Sequence, residues 1–244
     1  MPKDKLALSL NNLEYQYLNQ QTIIKRVNLQ ITSGERIGII GPNGAGKTTL
    51  FLLMCGILSP TQGEVWLFNQ KINPGKFYPD IGLVFQNPDD QLFCSTVRED
   101  VAFGPENMGL TPEEIETRVE RALNLTGMLH LKDRVPHQLS GGEKCMIAIA
   151  SVLAMEPKLV LYDEPSANLD LRARRRLIEF LQSAQQTYLI ASHDLELILD
   201  VCDRVILLHR GEVVADGIPS IIMGNQSLME THALEVPYSL SEGK

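Results

Sequence analysis

The chain has 244 residues, of which 44% are hydrophobic and 21% are charged, and its formal net charge is −8 at pH 7. This composition is typical of a globular protein with one domain and a subdomain, or with two small domains. The negative charge argues against a nucleic-acid-binding protein and against direct adsorption to anionic lipid.

The first third of the chain is predicted to contain β strands over Leu6–Leu10, Val27–Ile31 and Glu64–Phe68. The first two strands alternate apolar and polar side chains, as half-buried strands do. Turn-forming residues at Asn19–Gln21 and Thr32–Glu35 separate the predicted strands.

A glycine-rich stretch lies between an apolar strand, Arg36–Ile40, and a predicted helix over Thr49–Met54. Its glycines would let successive N–H groups point at phosphate oxygens, next to the partly positive N-terminus of the helix. Lys47 would add a charge near the β- and γ-phosphates, and the Thr48 hydroxyl would bind Mg²⁺. A glycine-rich turn without a ligand is disfavoured because every fixed position of the motif is present in a strand–loop–helix context. We therefore predict a nucleoside-triphosphate site at Gly41, Pro42, Asn43, Gly44, Ala45, Gly46, Lys47 and Thr48.

Residues 87–155 are predicted to form a mainly helical lobe. Thr111–Glu114 is typical of a helix start, with a capping Thr, a Pro in the first turn and a Glu three positions after the cap. Gln86 follows the apolar strand Ile81–Phe85, directly before this lobe. Its amide could reach a metal ion or its water, although a single Gln is more often an ordinary surface residue.

The segment Leu139–Glu143 precedes an apolar helical stretch, Ile147–Ala154. A Ser and two glycines at the start of a helix leave N–H groups that can bind an anion. The chain thus carries two phosphate-binding elements that are far apart in sequence. We predict a head-to-tail dimer, with ATP between the glycine-rich loop of one subunit and Ser140, Gly141 and Gly142 of the other.

An apolar strand, Leu159–Tyr162, ends in two carboxylates. Asp163 could hold Mg²⁺ opposite Thr48, and Glu164 could polarise or deprotonate an attacking water. An exposed strand end is the alternative explanation, and the glycine-rich loop in the same chain disfavours it.

The last part of the chain contains a predicted helix over Arg172–Ala184, a strand over Tyr188–Ala191 and a hairpin over Val205–Val214. Strands that alternate with helices predict a parallel central sheet. His193 follows the strand and could hydrogen-bond to the γ-phosphate, although a single His is more often a satisfied surface or core residue.

The N-terminus, Met1–Lys5, is not followed by an apolar segment of signal-peptide type, and no apolar run is long enough to span a bilayer. The four cysteines lack the spacing of a metal site and are predicted to be reduced, mostly buried thiols of a cytoplasmic protein. These cysteines are Cys55, Cys94, Cys145 and Cys202.

These motifs together resemble those of the ATP-binding-cassette (ABC) ATPases, from about Leu8 to Ala215. The matching motifs, in the family's order, are Gly41–Thr48, Gln86, Leu139–Gly142, Asp163–Glu164, Ser166–Asp170 and His193. The resemblance implies an α/β fold, with a P-loop NTPase core that has a mostly parallel central sheet, an N-terminal antiparallel β subdomain and an inserted α-helical subdomain. It implies one domain over residues 6–220, with the core in 6–86 and 156–220, the helical subdomain in 87–155 and a short tail in 221–244.

The resemblance also implies how the nucleotide is bound. Tyr17 would stack on adenine, with Tyr15 close enough in sequence to compete for that role. Lys47 and the loop amides would bind phosphates, and Thr49 would lie near the α-phosphate. Ser140 and Gly142 would complete the site of the partner subunit.

The family's catalytic roles transfer to matching positions of this chain. Thr48, Gln86 and Asp163 would bind or support Mg²⁺. Glu164 would act as general base, and His193 would contact the γ-phosphate. Asp170 would lie at the dimer interface.

A closer resemblance is carried by Val84–Phe93 and Thr96–Asn107, which are similar to the cobalt-type and energy-coupling-factor (ECF) branch. Members of this branch drive the uptake of transition metals or vitamins. In that family, the region around the Gln loop and the helical lobe receives helices of a membrane subunit. The alternative is that its apolar residues only pack the core of the lobe; these are Phe93, Val97, Val101 and Phe103.

The chain departs from the family pattern in three places. Glu143 stands where ABC proteins generally have Gln, a variation that this branch accommodates. Cys145 and Met146 replace a polar residue and an arginine, which implies weaker nucleotide coupling. The short C-terminal tail implies weak dimerisation without ATP.

The resemblance thus implies an ATPase that energises a membrane transporter and uses ATP and Mg²⁺. Integral membrane subunits and a second ATPase, identical or related, are the expected partners. The expected location is the cytoplasmic face of the membrane, without direct insertion and without nucleic acid. A conventional ABC importer is the main alternative. A soluble ABC ATPase without a transport role is less favoured because the chain lacks a second cassette, a long coiled coil and basic patches.

Overall fold

The computed structural model describes residues 5–18, 21–167 and 169–241. Residues 1–4, 19–20, 168 and 242–244 lie outside the described residues. These positions include parts of four predicted features: the N-terminal segment, the turn at Asn19–Gln21, the Ser166–Asp170 motif and the C-terminal tail. The chain divides into two compact units. The first unit contains Met1–Tyr78 and Gln185–Lys244, and the second contains Pro79–Ala184.

An antiparallel sheet occupies the N-terminal part of the first unit. Its strands are β1 (Leu6–Gln16), β2 (Thr22–Thr32), β4 (Gln62–Leu67) and β5 (Gln70–Lys71), in the order β2-β1-β4-β5. In β2 the predicted alternation is observed from Val27 to Ile31. In β1 it is not, because Ala7 and Ser9 are buried as well as the leucines between and after them. This interior strand is therefore covered on both faces at that point.

Parallel strands lie next to one another in the rest of the first unit. β3 (Arg36–Ile40) lies between β8 (Thr187–Ala191) and β9 (Arg204–His209) and runs parallel to both. β10 (Glu212–Gly217) pairs antiparallel with β9, so the predicted hairpin is observed. The side chains of β8 are fully or almost fully buried, as expected of a strand in a parallel sheet.

Two helices of the first unit follow strands of this sheet. α1 (Lys47–Met54) follows β3, and α6 (Leu195–Val201) follows β8. Gly38 lets α6 approach the sheet, because a Cβ atom there would lie 2.5 Å from Ile198 Cγ2.

The C-terminal tail is helical and packed, which the sequence did not predict. It contains α7 (Pro219–Met223), α8 (Gln226–Thr231) and α9 (Tyr238–Ser241). Met223 and Met229 are completely buried. The tail therefore adds to the core of the first unit.

The described residues of the second unit form two parallel strands and four α-helices. The strands are β6 (Ile81–Val84) and β7 (Leu159–Asp163). The helices are α2 (Val97–Asn107), α3 (Pro112–Thr126), α4 (Gly141–Leu153) and α5 (Leu171–Ser183), with short 3₁₀ helices at Pro88–Asp90, Leu129–Leu131 and Pro136–Gln138. At Gly82, a Cβ atom would lie 2.3 Å from Val152 Cγ1, so α4 packs closely on β6.

The helix starts of this lobe are set by local capping. Thr111 and Glu114 form the predicted capping box at the start of α3, and α3 ends at Gly127, whose φ is 72°. Thr96 and Glu99 form an equivalent box at the start of α2. These reciprocal bonds satisfy N–H groups that the first turn of a helix leaves open.

The observed architecture confirms the predicted α/β fold with its antiparallel β part and helical lobe. The predicted subdomain boundaries, at 86/87 and 155/156, stay a prediction. Within the ranges described by the structure, no helix has the length and apolar character needed to cross a membrane.

Candidate active site

The glycine-rich loop joins β3 to α1 in the first unit. Gly46 precedes α1 with φ 106°, a left-handed conformation that favours glycine. The Ala45 N–H donates to the Pro42 carbonyl at 3.1 Å and closes the loop on itself. Among the described residues, no acceptor receives the N–H groups of Gly44 and Gly46. The loop thus presents open N–H donors next to the start of a helix, the arrangement that binds phosphate.

Lys47 lies against the loop backbone. Its side chain is largely buried, and its Nζ atom donates to the Gly41 carbonyl at 2.8 Å. The neighbouring Thr48 is exposed, whereas Thr49 is buried. The ammonium group and the Thr48 hydroxyl therefore lie at the same loop, as the motif predicts.

His193 follows β8 at the same edge of the sheet at which the glycine-rich loop follows β3. β8 and β3 pair in parallel up to Ile39 and Ala191, and the Ser192 N–H donates to the Ile39 carbonyl at 3.2 Å. His193 is exposed, and Asp194 behind it caps α6 through the Leu197 N–H. The first unit therefore brings the loop and His193 to one edge.

The two candidate adenine-binding tyrosines contact each other at the end of β1. The rings of Tyr15 and Tyr17 meet edge to face, with centroids 4.8 Å apart. Both are half-buried. The choice of Tyr17 as the adenine-binding residue stays a prediction.

In the second unit, Gln86 and the two carboxylates follow neighbouring strands. β6 and β7 pair in parallel up to Val84 and Tyr162, so the residues that follow leave at one edge. Asp163 is 3% exposed and Glu164 is 6% exposed. Glu164 has φ 48°, a left-handed conformation that is uncommon for a residue other than glycine and is often found at functional sites.

Ser140 and Glu143 form a capping box at the start of α4. The Glu143 carboxylate accepts from the Ser140 N–H at 2.8 Å and from the Ser140 hydroxyl at 2.7 Å. These bonds favour the ionised form and lower the pKa of Glu143. The replacement of Gln by Glu at this position therefore keeps the cap and adds a negative charge to the first turn.

Gly142 has a packing role in addition to its predicted nucleotide role. A Cβ atom at Gly142 would lie 2.6 Å from the Ala173 Cβ atom of α5. Asp170 begins α5 as its N-cap, accepting from the Ala173 N–H at 2.7 Å, and its side chain is exposed. Its predicted place at a dimer interface stays a prediction.

Three predicted segments line one cavity of about 230 Å³ in the second unit. Its lining includes Gln86, Gly141 at the start of α4, and Pro165, directly after Glu164. The buried Cys145 also lines it, and burial raises the pKa of its thiol to about 12. This cysteine is therefore a small packing residue rather than a nucleophile.

Gln91 is a site-supporting residue that the sequence did not indicate. Its side-chain carbonyl accepts from the Phe85 N–H at 3.1 Å, and its amide donates to Ala148 O at 2.7 Å and Ser151 Oγ at 2.9 Å. It thus ties the segment that carries Gln86 to α4. The only available signal was its position in the stretch that resembles the cobalt-type and ECF branch.

The predicted metal-binding residues have suitable chemistry for Mg²⁺. Thr48, Gln86 and Asp163 offer hydroxyl, amide and carboxylate oxygens, the donor type that Mg²⁺ prefers. Within the described ranges, no cluster of three or more His, Cys, Asp or Glu residues could hold a metal ion by itself.

Comparisons with known proteins show the family to which the chain belongs. The family model described as ABC transporter matches residues 24–167. An ABC transporter ATP-binding protein of Synechocystis is 53% identical over 96% of this chain and 82% of its own length. The ECF transporter ATP-binding protein EcfA of Methanothermobacter thermautotrophicus is 42% identical over 94% of this chain and 76% of its own.

A solved structure shows the same fold. CbiO1 of Clostridium perfringens, described as part of the ABC transporter complex CbiONQ, is 37% identical and covers 94% of both chains with a TM-score of 0.80. The resemblance to the ABC ATPases and to their cobalt-type and ECF branch is thereby confirmed. The chain belongs to the ABC transporter family, and it is an ATP-binding ATPase of the type that works in transporters.

Proposed function

We propose that this chain is the ATP-hydrolysing subunit of an ECF or cobalt-type transporter that takes up a transition metal ion or a vitamin. Its similarity to EcfA and to CbiO1 supports this proposal, because each extends over 94% of the chain. We infer a location at the cytoplasmic face of the membrane, where integral membrane subunits bind the chain.

The observation that carries the proposal is a pair of exposed aromatic side chains in the second unit. Phe93 and Phe103 are 64% and 47% exposed, and their rings meet edge to face with centroids 5.0 Å apart. Val97 and Val101 are completely buried and pack the lobe. Exposed aromatic residues that pack on each other provide apolar area suited to a partner. They lie in the segment that resembles the cobalt-type and ECF branch, where members of that branch receive a membrane subunit.

Asp100 holds this aromatic surface in place. One of its carboxylate oxygens accepts from the N–H groups of Phe93 and Cys94, each at 2.9 Å. Asp100 is itself 4% exposed. The loop that carries Phe93 is therefore anchored, which lowers the entropy cost of binding a partner there.

In the proposed reaction, the loop N–H groups and Lys47 bind the phosphates of ATP, Thr49 lies near the α-phosphate, and Tyr17 or Tyr15 stacks on adenine. Mg²⁺, held by the residues proposed for it, would neutralise charge on the phosphates. The residues proposed to hold Mg²⁺ are Thr48, Gln86 and Asp163.

Glu164 is proposed to accept a proton from the attacking water, while His193 hydrogen-bonds to the γ-phosphate. Lys47 offsets the charge that develops on the phosphate oxygens. Ser140 and Gly142 of a second subunit complete the site, so loss of the γ-phosphate weakens the dimer. The helical lobe, residues 87–155 of the single domain over 6–220, passes this change to the membrane subunit.

The test is a detergent pull-down of the tagged chain from its native membranes, with mass-spectrometric identification of its partners. We expect a small polytopic membrane protein, with or without a second ABC ATPase. A Phe93→Ser/Phe103→Ser variant, shown by thermal melting to be folded, should recover much less of it. Recovery of soluble partners only, by both proteins, would contradict the proposal.

A further inference from the structure

The turn between β9 and β10 contacts the glycine-rich loop. Arg210 and Gly211 form this turn, with φ of 49° and 81°, as a two-residue type I′ hairpin turn requires. The Gly211 N–H donates to the Ala45 carbonyl at 3.0 Å, and the Gly211 carbonyl accepts from the Lys25 N–H at 2.9 Å. Gly211 therefore links β2 to the glycine-rich loop.

This contact leaves no room for a side chain. A Cβ atom at Gly211 would lie 1.9 Å from the Ile23 carbonyl oxygen. At Gly41, the first residue of the loop, it would lie 2.1 Å from the carbonyl oxygen of Leu208, which belongs to β9. Backbone atoms of β2 and β9 thus pack directly on the turn and on the loop, and neither can move aside as a flexible side chain would.

The bond to Ala45 determines the direction of the next N–H group. In a trans peptide the carbonyl and the following N–H point in opposite directions. Because Gly211 holds the Ala45 carbonyl, the Gly46 N–H points away from the turn. Within the described part of the chain no acceptor receives this Gly46 N–H, so it stays open for a phosphate oxygen.

We propose that the Arg210–Gly211 turn positions the glycine-rich loop for ATP by fixing the Ala45–Gly46 peptide. Gly211 is a positioning residue, since it acts through Ala45 and does not touch the nucleotide. This inference rests on the proposed role of the loop as the ATP site.

The test compares Gly211→Ala with Gly34→Ala. Gly34 also has a positive φ, 92°, but a Cβ atom there would have no neighbour within 4 Å. Both variants carry the conformational cost of a left-handed alanine, and only Gly211→Ala displaces the turn. We expect the Kd for MgATP to rise about tenfold in Gly211→Ala, the effect of a misplaced hydrogen-bond donor, and to stay close to the wild-type value in Gly34→Ala.

Binding is measured by equilibrium titration well below the melting temperature of each variant. A purely structural role for Gly211 would lower the melting temperature and leave the Kd of the folded protein unchanged. That result would overturn the inference.

A second variant covers the case in which Gly211→Ala does not fold. A synthetic segment of residues 202–244 with glycolate at position 211, ligated at the native Cys202, replaces only the N–H by an ester oxygen. Weaker MgATP binding by the refolded ester protein would support the inference, and unchanged binding would overturn it.

A Lys47→Ala variant tests the assignment of the loop as the ATP site independently of the positioning role of Gly211. If Lys47→Ala binds MgATP as the wild type does, the assignment of the loop as the ATP site fails and the positioning role fails with it. If Lys47→Ala loses binding while the ester protein keeps it, only the role of Gly211 is excluded.

Discussion

Glu164 combines burial with an uncommon backbone conformation. It is 6% exposed, has φ 48°, and its carbonyl accepts from the Ala167 N–H at 3.0 Å in a tight turn. Local strain of this kind persists only where the surrounding structure holds it. The turn therefore fixes the backbone of Glu164 at the end of β7, the position proposed for the general base.

Replacing Glu164 by Gln should leave ATP binding intact and slow hydrolysis. Gln has nearly the same shape but cannot accept the proton of the attacking water, so we expect the rate to fall by about two orders of magnitude or more. Phosphate release under saturating MgATP measures the effect. A Glu164→Gln protein that hydrolyses ATP at the wild-type rate would remove Glu164 from this role.

At the scale of elements, two histidines join the C-terminal tail to the central strands. His209 ends β9 and His232 follows α8, and their rings lie with centroids 4.8 Å apart. In the described part of the chain, the buried Nδ1 atoms of both have no hydrogen-bond partner. Burial, and then the charges of His232 and Arg210, lower the pKa of His209.

This pair predicts that acidification destabilises the fold. A His whose pKa is lower in the folded state binds fewer protons there, so the free energy of unfolding falls as the pH drops below about 6.5, the ordinary His value. The loss is complete once the pH is below the lowered pKa. His209→Gln should therefore show a smaller drop in melting temperature between about pH 7.5 and about pH 5.5.

The exposed His137 of the second unit offers a matched control. His137→Gln should keep the wild-type dependence of melting temperature on pH, because this substitution leaves the pair intact. If His209→Gln follows the wild-type curve as well, the histidine pair does not contribute to acid sensitivity.

Elements with local signals could be predicted from the sequence. The glycine-rich loop is recognisable from the types of its own neighbouring residues, and the cap at Thr111 from a Glu three positions away. Gln91 could not be predicted, because its partners Ala148 and Ser151 are 57 and 60 positions away. The tail helices are short, the longest having 6 residues, so they carry too few turns for a periodic pattern.

The candidate site shows the same limit. Residue types at fixed spacings predict which groups bind phosphate and metal, because the chemistry needs those groups. The support of the loop by Gly211 depends on a contact between distant segments, and no pattern around Gly211 indicates it. The left-handed conformation of Glu164 could not be predicted from the sequence either, because Glu rarely adopts it.

At the scale of the whole molecule, the proposed ATP site combines groups from two copies of the chain. Lys47 and Ser140 belong to different units of the chain. The proposed dimer takes the loop of one subunit and the start of α4 of the other. Two such sites would form in the proposed head-to-tail pair, and each would use residues from both chains.

Mixing two inactive variants tests this composite site. Lys47→Ala disables the loop, and Gly142→Asp places a negative charge at the start of α4, so each homodimer should have no working site. Because Gly142 also packs on Ala173, thermal melting must first show that Gly142→Asp is folded. In a mixed dimer, one site contains both altered parts, the Lys47→Ala loop and the Gly142→Asp start of α4. The other site combines the intact loop with the intact α4. An equal mixture that exchanges freely should therefore recover up to about a quarter of wild-type hydrolysis.

The control is a mixture of Lys47→Ala with Lys47→Ala/Gly142→Asp. Neither of these chains has an intact loop, so their mixture should stay inactive however freely the subunits exchange. If the Lys47→Ala and Gly142→Asp mixture stays equally inactive, while size-exclusion chromatography shows that Glu164→Gln forms a dimer with ATP, the site is not shared between two copies of this chain. A second ATPase would then have to supply the missing half.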